Sequence, residues 1–183
     1  MTVCIIDLVP IIIGMPAGLK QSSAVVPIGF SVTEDTPNTF KQTQVDLNLS
    51  PLDREVMVVL AVNLDAGPPD NVDDAATATK VRLTTTSQTA IVGLENSNCL
   101  SALSLFSVNT GGTTAVSFTN QALETPPSTL EYIGIIATND FFVSISGENN
   151  TRAKGASGKL YGYRAIASAD IYAALVQSEV LSA

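Results

Sequence analysis

Residues 63–77, NLDAGPPDNVDDAAT, set Asp65, Asp70, Asp73 and Asp74 around Gly67, Pro68 and Pro69. Carboxylates crowded on one loop, with Asn71 among them, are the material of a calcium site, which needs roughly six to eight oxygen ligands. The spacing lacks the alternating ligands of an EF-hand loop, and two prolines stand where the backbone would have to wrap the ion. Read as glycosidase chemistry, two carboxylates would have to lie about 5 to 9 Å apart in a cleft. Asp65, at a strand end, is the one anchor for such a pair, and no aromatic side chain stands near it to stack a sugar. The plain alternative is a solvated turn. Asp65, Asp70, Asp73 and Asp74 therefore stand as calcium candidates behind an expectation of no metal and no cofactor.

A second concentration of charge lies in NNTRAKGASGKLYGYR, where Arg152, Lys154, Lys159 and Arg164 are four of the nine basic residues. The glycines invite a phosphate-cradle reading, but Gly155, Gly158 and Lys159 do not have P-loop spacing. Tyr161 and Tyr163 share one strand face and could stack bases; core or interface packing is the simpler use. An acidic loop and a basic loop on one chain can steer and register neighbours, although exposed ion pairs each add only about 0 to 1 kcal/mol. The expectation is that Asp70, Asp73 and Asp74 lie at or near a subunit contact opposite Arg152 and Lys154, with the solvated turn as the other reading. The tripeptides Asn48-Leu49-Ser50 and Asn149-Asn150-Thr151 match the glycosylation pattern at the frequency chance provides.

Composition removes several functions. The chain has no histidine, which takes away the commonest general base, zinc ligand and Ser or Cys activator, so no enzyme is expected. A formal net charge of −8 speaks against direct nucleic-acid binding. Cys4 and Cys99 make no metal pattern; two small buried apolar residues are the simpler reading, with one disulfide as the alternative.

Charged residues are only 14% of the chain, against roughly 25% in ordinary soluble proteins. The sequence fills the deficit with 19 Thr and 17 Ser. Neutral hydroxyls desolvate more cheaply than Lys or Glu, so such a surface suits a protein that buries much of itself against neighbours. An ordinary extracellular β-protein is the competing reading.

The elements that position these residues follow a period of two over most of the chain. At 183 residues one domain, 1–183, is expected. Residues 24–32 read as a strand with Pro27 marking an edge or a bulge. Residues 43–49 alternate, and 54–64 form an apolar run expected of a central strand buried on both faces. Residues 79–87 place Val81 and Leu83 inward and Lys80 and Arg82 outward. Residues 101–109 meet the turn signal Gly111-Gly112 and return as a hairpin. Three further strands follow Pro126-Pro127. Repeated short strands joined by turns signal an antiparallel β-sandwich or barrel, an all-β fold. Ser168 is a fitting N-cap for a short helical tail over 168–183, with Ile171, Leu175, Tyr172 and Val176 as its apolar stripe.

Residues 1–20 read as a terminal arm in which Ile5, Ile6, Ile11, Ile12 and Ile13 are candidate contact residues. Asp7 and Pro10 interrupt the apolar run, which is too short to span a bilayer and lacks the basic start of a signal peptide.

This combination resembles the small capsid and virion-surface proteins of viruses, and the tail GKLYGYRAIASADIYAALVQSE is similar to that of uncharacterised marine viral proteins. The resemblance implies a single jelly roll, a location in the virion, and a homo-oligomeric subunit that assembles with copies of itself and other virion proteins through faces, loops and terminal arms. The chain lacks the basic N-terminal arm common in that family. That departure implies a subunit facing other proteins or an internal membrane, or a decoration protein. A secreted or cell-surface binding module, such as an adhesin or a carbohydrate-binding sandwich, is the competing class; it would be monomeric, with a concave aromatic-lined face.

Overall fold

A computed structural model describes residues 18–111, 115–121 and 130–181. The strands are β1 (Leu19–Gln21), β2 (Val26–Thr33), β3 (Lys41–Asp46), β4 (Glu55–Ala66), β5 (Ala75–Thr84), β6 (Cys99–Asn109), β7 (Ala115–Gln121), β8 (Gly134–Ile136), β9 (Asp140–Glu148) and β10 (Gly155–Ala167), followed by helix α1 (Ala169–Leu181).

They form two antiparallel sheets. Sheet A runs β1-β10-β4-β8 with β2 also on β10, and sheet B runs β3-β9-β5-β6-β7. Strand β2 pairs with residues 155–162 of β10 and β1 with residues 165–167, so the two are one edge strand interrupted at 22–25. At the interruption the Ser22 and Ser23 amides both donate to the Arg164 carbonyl, and the Arg164 amide donates to the Ser23 hydroxyl.

The pairs β2–β10, β3–β9, β4–β8 and β5–β6 are the rungs of one long antiparallel ribbon whose tip is the β5–β6 connection. Winding that ribbon on itself adds β10–β4 and β9–β5 and makes two four-stranded layers. This is a jelly roll, with β7 added at the free side of β6. The all-β sandwich expected from the strand spacing, with its single terminal helix, is the fold observed.

The core between the sheets is built by alternate residues. It joins Phe30 and Val32 of β2, Met57, Val59, Val62 and Leu64 of β4, Val81 and Leu83 of β5, Phe141, Val143 and Ile145 of β9, and Leu160 of β10. Phe30 and Phe141 meet edge to face across it, with ring centroids 5.8 Å apart.

Strand β4 explains its own continuous apolar run. Leu60 is an extra residue, since Tyr161 pairs with Ala61 while Gly162 pairs with Val59. Before this bulge Met57 and Val59 face the core; after it Val62 and Leu64 do. Val56 and Val58 face outward and are buried in a second cluster with Leu19, Ala165 and Ala167 beneath α1, where Ile171, Tyr172, Leu175 and Val176 cover them. Burial on both faces thus holds for the first half of the strand. In the second half Ala61, Asn63 and Asp65 are exposed.

Two glycines make the close β4–β10 approach possible. A Cβ on Gly158 would lie 2.3 Å from the Asn63 carbonyl oxygen, and one on Gly162 would lie 2.5 Å from that of Val58. Neither oxygen can withdraw without breaking the ladder. Gly162→Ala is expected to cost about 1–3 kcal/mol, read as a lower urea midpoint with an unchanged slope.

Candidate functional site

The acidic and basic loops come together at one end of the sandwich. The connections β2–β3 (34–40), β4–β5 (67–74) and β9–β10 (149–154) all lie there, because strands adjacent in the roll deliver them to the same rim.

Asp70 is the hub. Its Oδ2 accepts from the Thr151 amide (2.9 Å), the Thr151 hydroxyl (2.8 Å) and the Arg152 amide (3.1 Å), while its Oδ1 accepts from Lys154 Nζ at 2.5 Å. The Lys154 ammonium, and after it the Thr151 hydroxyl, hold the Asp70 carboxyl well below the usual carboxylate range. Lys154 itself is buried. The opposite charges noticed in the sequence do meet, and the meeting of Asp70 with Lys154 is inside one subunit.

Around this pair the loops are fastened by amides. Asn150, buried, accepts the Asp70 amide on Oδ1 (2.9 Å) and donates from Nδ2 to the Ala78 carbonyl (2.7 Å). Asn38 and Asn150 exchange two bonds, of 2.8 and 2.7 Å, between side chain and backbone. Glu34 is buried, and its carboxylate accepts the Gly147 amide (2.5 Å) and the Lys154 amide (2.8 Å). Asn38, Asp74 and Asn149 sit at positive φ of 63°, 56° and 54°, where Asn and Asp are the tolerated non-glycine residues.

Asp73 Oδ1 accepts from Asn109 Nδ2 at 3.1 Å, a donor shared with Asn71. Asp74 and the Arg152 side chain are exposed on the rim, and Asp65 is exposed on the outer face of β4. Ile5, Ile6, Ile11, Ile12 and Ile13 lie outside the described residues, as does Cys4. Every oxygen of Asp70 is taken by an N–H or O–H donor, and among the described residues no three acidic, cysteine or histidine side chains converge as metal ligands do. Sequence reasoning missed Glu34 and Asn150. Their partners lie some 70 to 120 positions away, and the tripeptide containing Asn150 reads only as a chance sequon.

Two further places bury charge. Arg82 was expected outward, and it does leave the core face. It is nonetheless buried, because the β5–β6 connection folds over it: Nε donates to the Val92 carbonyl (2.7 Å), and a terminal nitrogen donates to the Val81 and Leu103 carbonyls, each at 2.9 Å. At the other end of the sandwich Glu179 of α1 accepts the amides of Ala137 (3.0 Å) and Thr138 (2.9 Å). Burial pushes its carboxyl up from the ordinary value, and those amides act in the opposite direction.

A cleft of about 620 Å³ opens between the sheet edges, lined by Val26, Ile28, Leu47 and Met57 with Glu55 and Arg164 at its side. Arg164 donates to the Leu47 carbonyl at 2.8 Å, which fixes the β3–β4 connection against β10.

The arrangement defines a class: an antiparallel jelly-roll sandwich with hydrogen-bonded loops at one rim. No protein-family model matches the sequence, and no curated protein does either. Among solved structures the chain is similar to Desmodium yellow mottle tymovirus, at 12% identity and a TM-score of 0.32, over 84% of this chain and 93% of that one. It is similar to turnip yellow mosaic virus at 10% identity and a TM-score of 0.27, over 80% and 97%. A third likeness, at 12% identity and a TM-score of 0.16, is to a tailspike protein of the Acinetobacter baumannii bacteriophage Fri1, a capsular polysaccharide depolymerase; it spans 66% of this chain and 19% of that one.

Proposed function

We propose that the chain is a structural subunit of a virus particle, a capsid or virion-surface protein that assembles with copies of itself and with other virion proteins. The observation that carries this reading is the jelly roll presented with a charge-poor surface and loops fastened to one another by buried side chains. Jelly rolls serve chiefly as capsid, lectin and cupin domains, which is an argument by fold analogy. The missing histidines weigh against a cupin metal site. Against a lectin, Tyr132, Tyr163 and Tyr172 pack into the cluster under α1, so three of the four tyrosines are committed to an internal contact.

Assembly needs loops that keep one shape before and after contact, because ordering them would subtract from association. The Asp70–Lys154 hub and the Asn38–Asn150 exchange supply that rigidity within the subunit. Asp73, Asp74 and Arg152 stay at the rim to register a neighbour, and the isoleucines of residues 1–20 lie against one as an arm.

Size-exclusion chromatography with light scattering, followed by negative-stain microscopy of the purified full chain, tests the reading. Closed oligomers or particles are the expected result. A monomer at all concentrations up to hundreds of micromolar overturns it and returns the binding-module class.

A further inference from the structure

Each sheet has two edge strands, and an unprotected edge is a template for pairing with another chain. Three of the four edges carry a device against this. The β1/β2 edge has Pro27 and the interruption at 22–25. Strand β8 is three residues long. Strand β3 begins with Lys41, ion-paired to Asp35 at 2.8 Å, and ends with Asp46.

Strand β7 carries none. It has seven residues, AVSFTNQ, with no charge and no proline, and its register against β6 runs from Asn109–Ala115 to Leu103–Gln121 without a bulge. Among the described residues nothing pairs with its other side. The neutrality extends well beyond the strand: residues 96–123 contain no Asp, Glu, Lys or Arg in a chain of net charge −8. Val116 is 47% exposed, and Phe106 and Val108, the register partners of Phe118 and Val116, are only half-buried. The outward side of β6–β7 is therefore apolar next to a row of backbone donors and acceptors that no described residue pairs.

We infer that β7 is a self-association edge, pairing antiparallel with β7 of a second copy across a two-fold axis to join two five-stranded sheets into one of ten strands. The inference rests on the assembly reading and names its contact. Charge selects a second copy as the occupant. Two molecules of net charge −8 repel, and the long neutral stretch is where that repulsion is weakest at close approach. Self-pairing about Phe118 sets Ser117 opposite Thr119 and Val116 opposite Asn120, with Phe118 facing its own copy, so no like charges oppose each other. A two-fold contact of this kind closes on itself and does not propagate.

Two variants of the full chain test it. Val116→Lys puts an ammonium on an exposed position, so the fold is retained, and is expected to weaken self-association at least tenfold by analytical ultracentrifugation while the far-ultraviolet dichroism stays unchanged. Phe118→Cys brings two thiols together at the axis within disulfide reach. Under mild oxidation it is expected to become mainly covalent dimer, whereas Leu52→Cys, on the 96% exposed Leu52, stays at the wild-type background. If the wild type assembles, Val116→Lys assembles equally and Phe118→Cys does not cross-link, the β7 contact is overturned and the assembly reading stands. A wild type that is monomeric throughout overturns both.

Discussion

Asp70→Ala is expected to destabilise the protein by about 1–3 kcal/mol, the range for losing a charged hydrogen-bond partner at a part-buried pair. The substitution strands Lys154, whose side chain is only 9% exposed, together with the amides of Thr151 and Arg152. Lys154→Met should cost less, because the Thr151 and Arg152 donors still hold the carboxylate. The difference between the two variants, read from urea midpoints, separates the stranded charge from the lost loop contacts. The pH dependence has a definite sign. The native Asp70 carboxyl titrates below its ordinary value of 3.8, so its contribution is fully present above that value and is lost as pH falls through the native one. Asp70→Asn should flatten the acid limb of the stability curve, and a limb as steep as the wild type's would show that other carboxylates control acid unfolding.

Glu179→Ala is expected to cost roughly 2–4 kcal/mol, since the buried Ala137 amide and the part-buried Thr138 amide both lose the carboxylate they donate to. The loss should be local. Amide exchange across α1 and at Ala137 and Thr138 should rise well above exchange in β9 and β5. Uniform exchange throughout the sandwich would mean that the helix is not a separable unit. The sign with pH is opposite to that of Asp70. Because burial raises the Glu179 carboxyl above its ordinary 4.5, its contribution is greatest below that value and shrinks as pH rises through the native one. Glu179→Gln removes the titration, and with it this decline on the alkaline side.

The strands were legible because alternation is a local signal. Val81 and Leu83 face the core as their spacing requires, and Pro27 marks an edge as a residue without an amide must. What alternation reports is the side of the sheet, and burial depends on what lies over that side. Arg82 points away from the core and is buried all the same, because Val92 and its loop fold across it. Val56 and Val58 are buried on the outer face only because α1 returns to cover them.

At the loop rim the opposite charges were visible as composition, but the partner of Asp70 stands 84 positions away, and no local pattern states whether such a pair closes within a subunit or between two. Glu179 was invisible for a related reason. A carboxylate beside an apolar stripe reads as solvent-facing until the β8–β9 turn, 41 and 42 positions earlier, is folded against it. The eight-strand winding likewise depends on pairings between the two ends of the chain, which strand spacing does not order.

The tyrosine placement has a spectroscopic consequence. With no tryptophan in the chain, ultraviolet emission comes from four tyrosines, and three of them, Tyr132, Tyr163 and Tyr172, surround the seat of α1. Intrinsic fluorescence therefore reports chiefly on whether the helix is docked, while the aromatic core of the sandwich, built on Phe30 and Phe141, is silent. A fluorescence melt that precedes the dichroism melt would record the helix lifting from a sheet still folded beneath it.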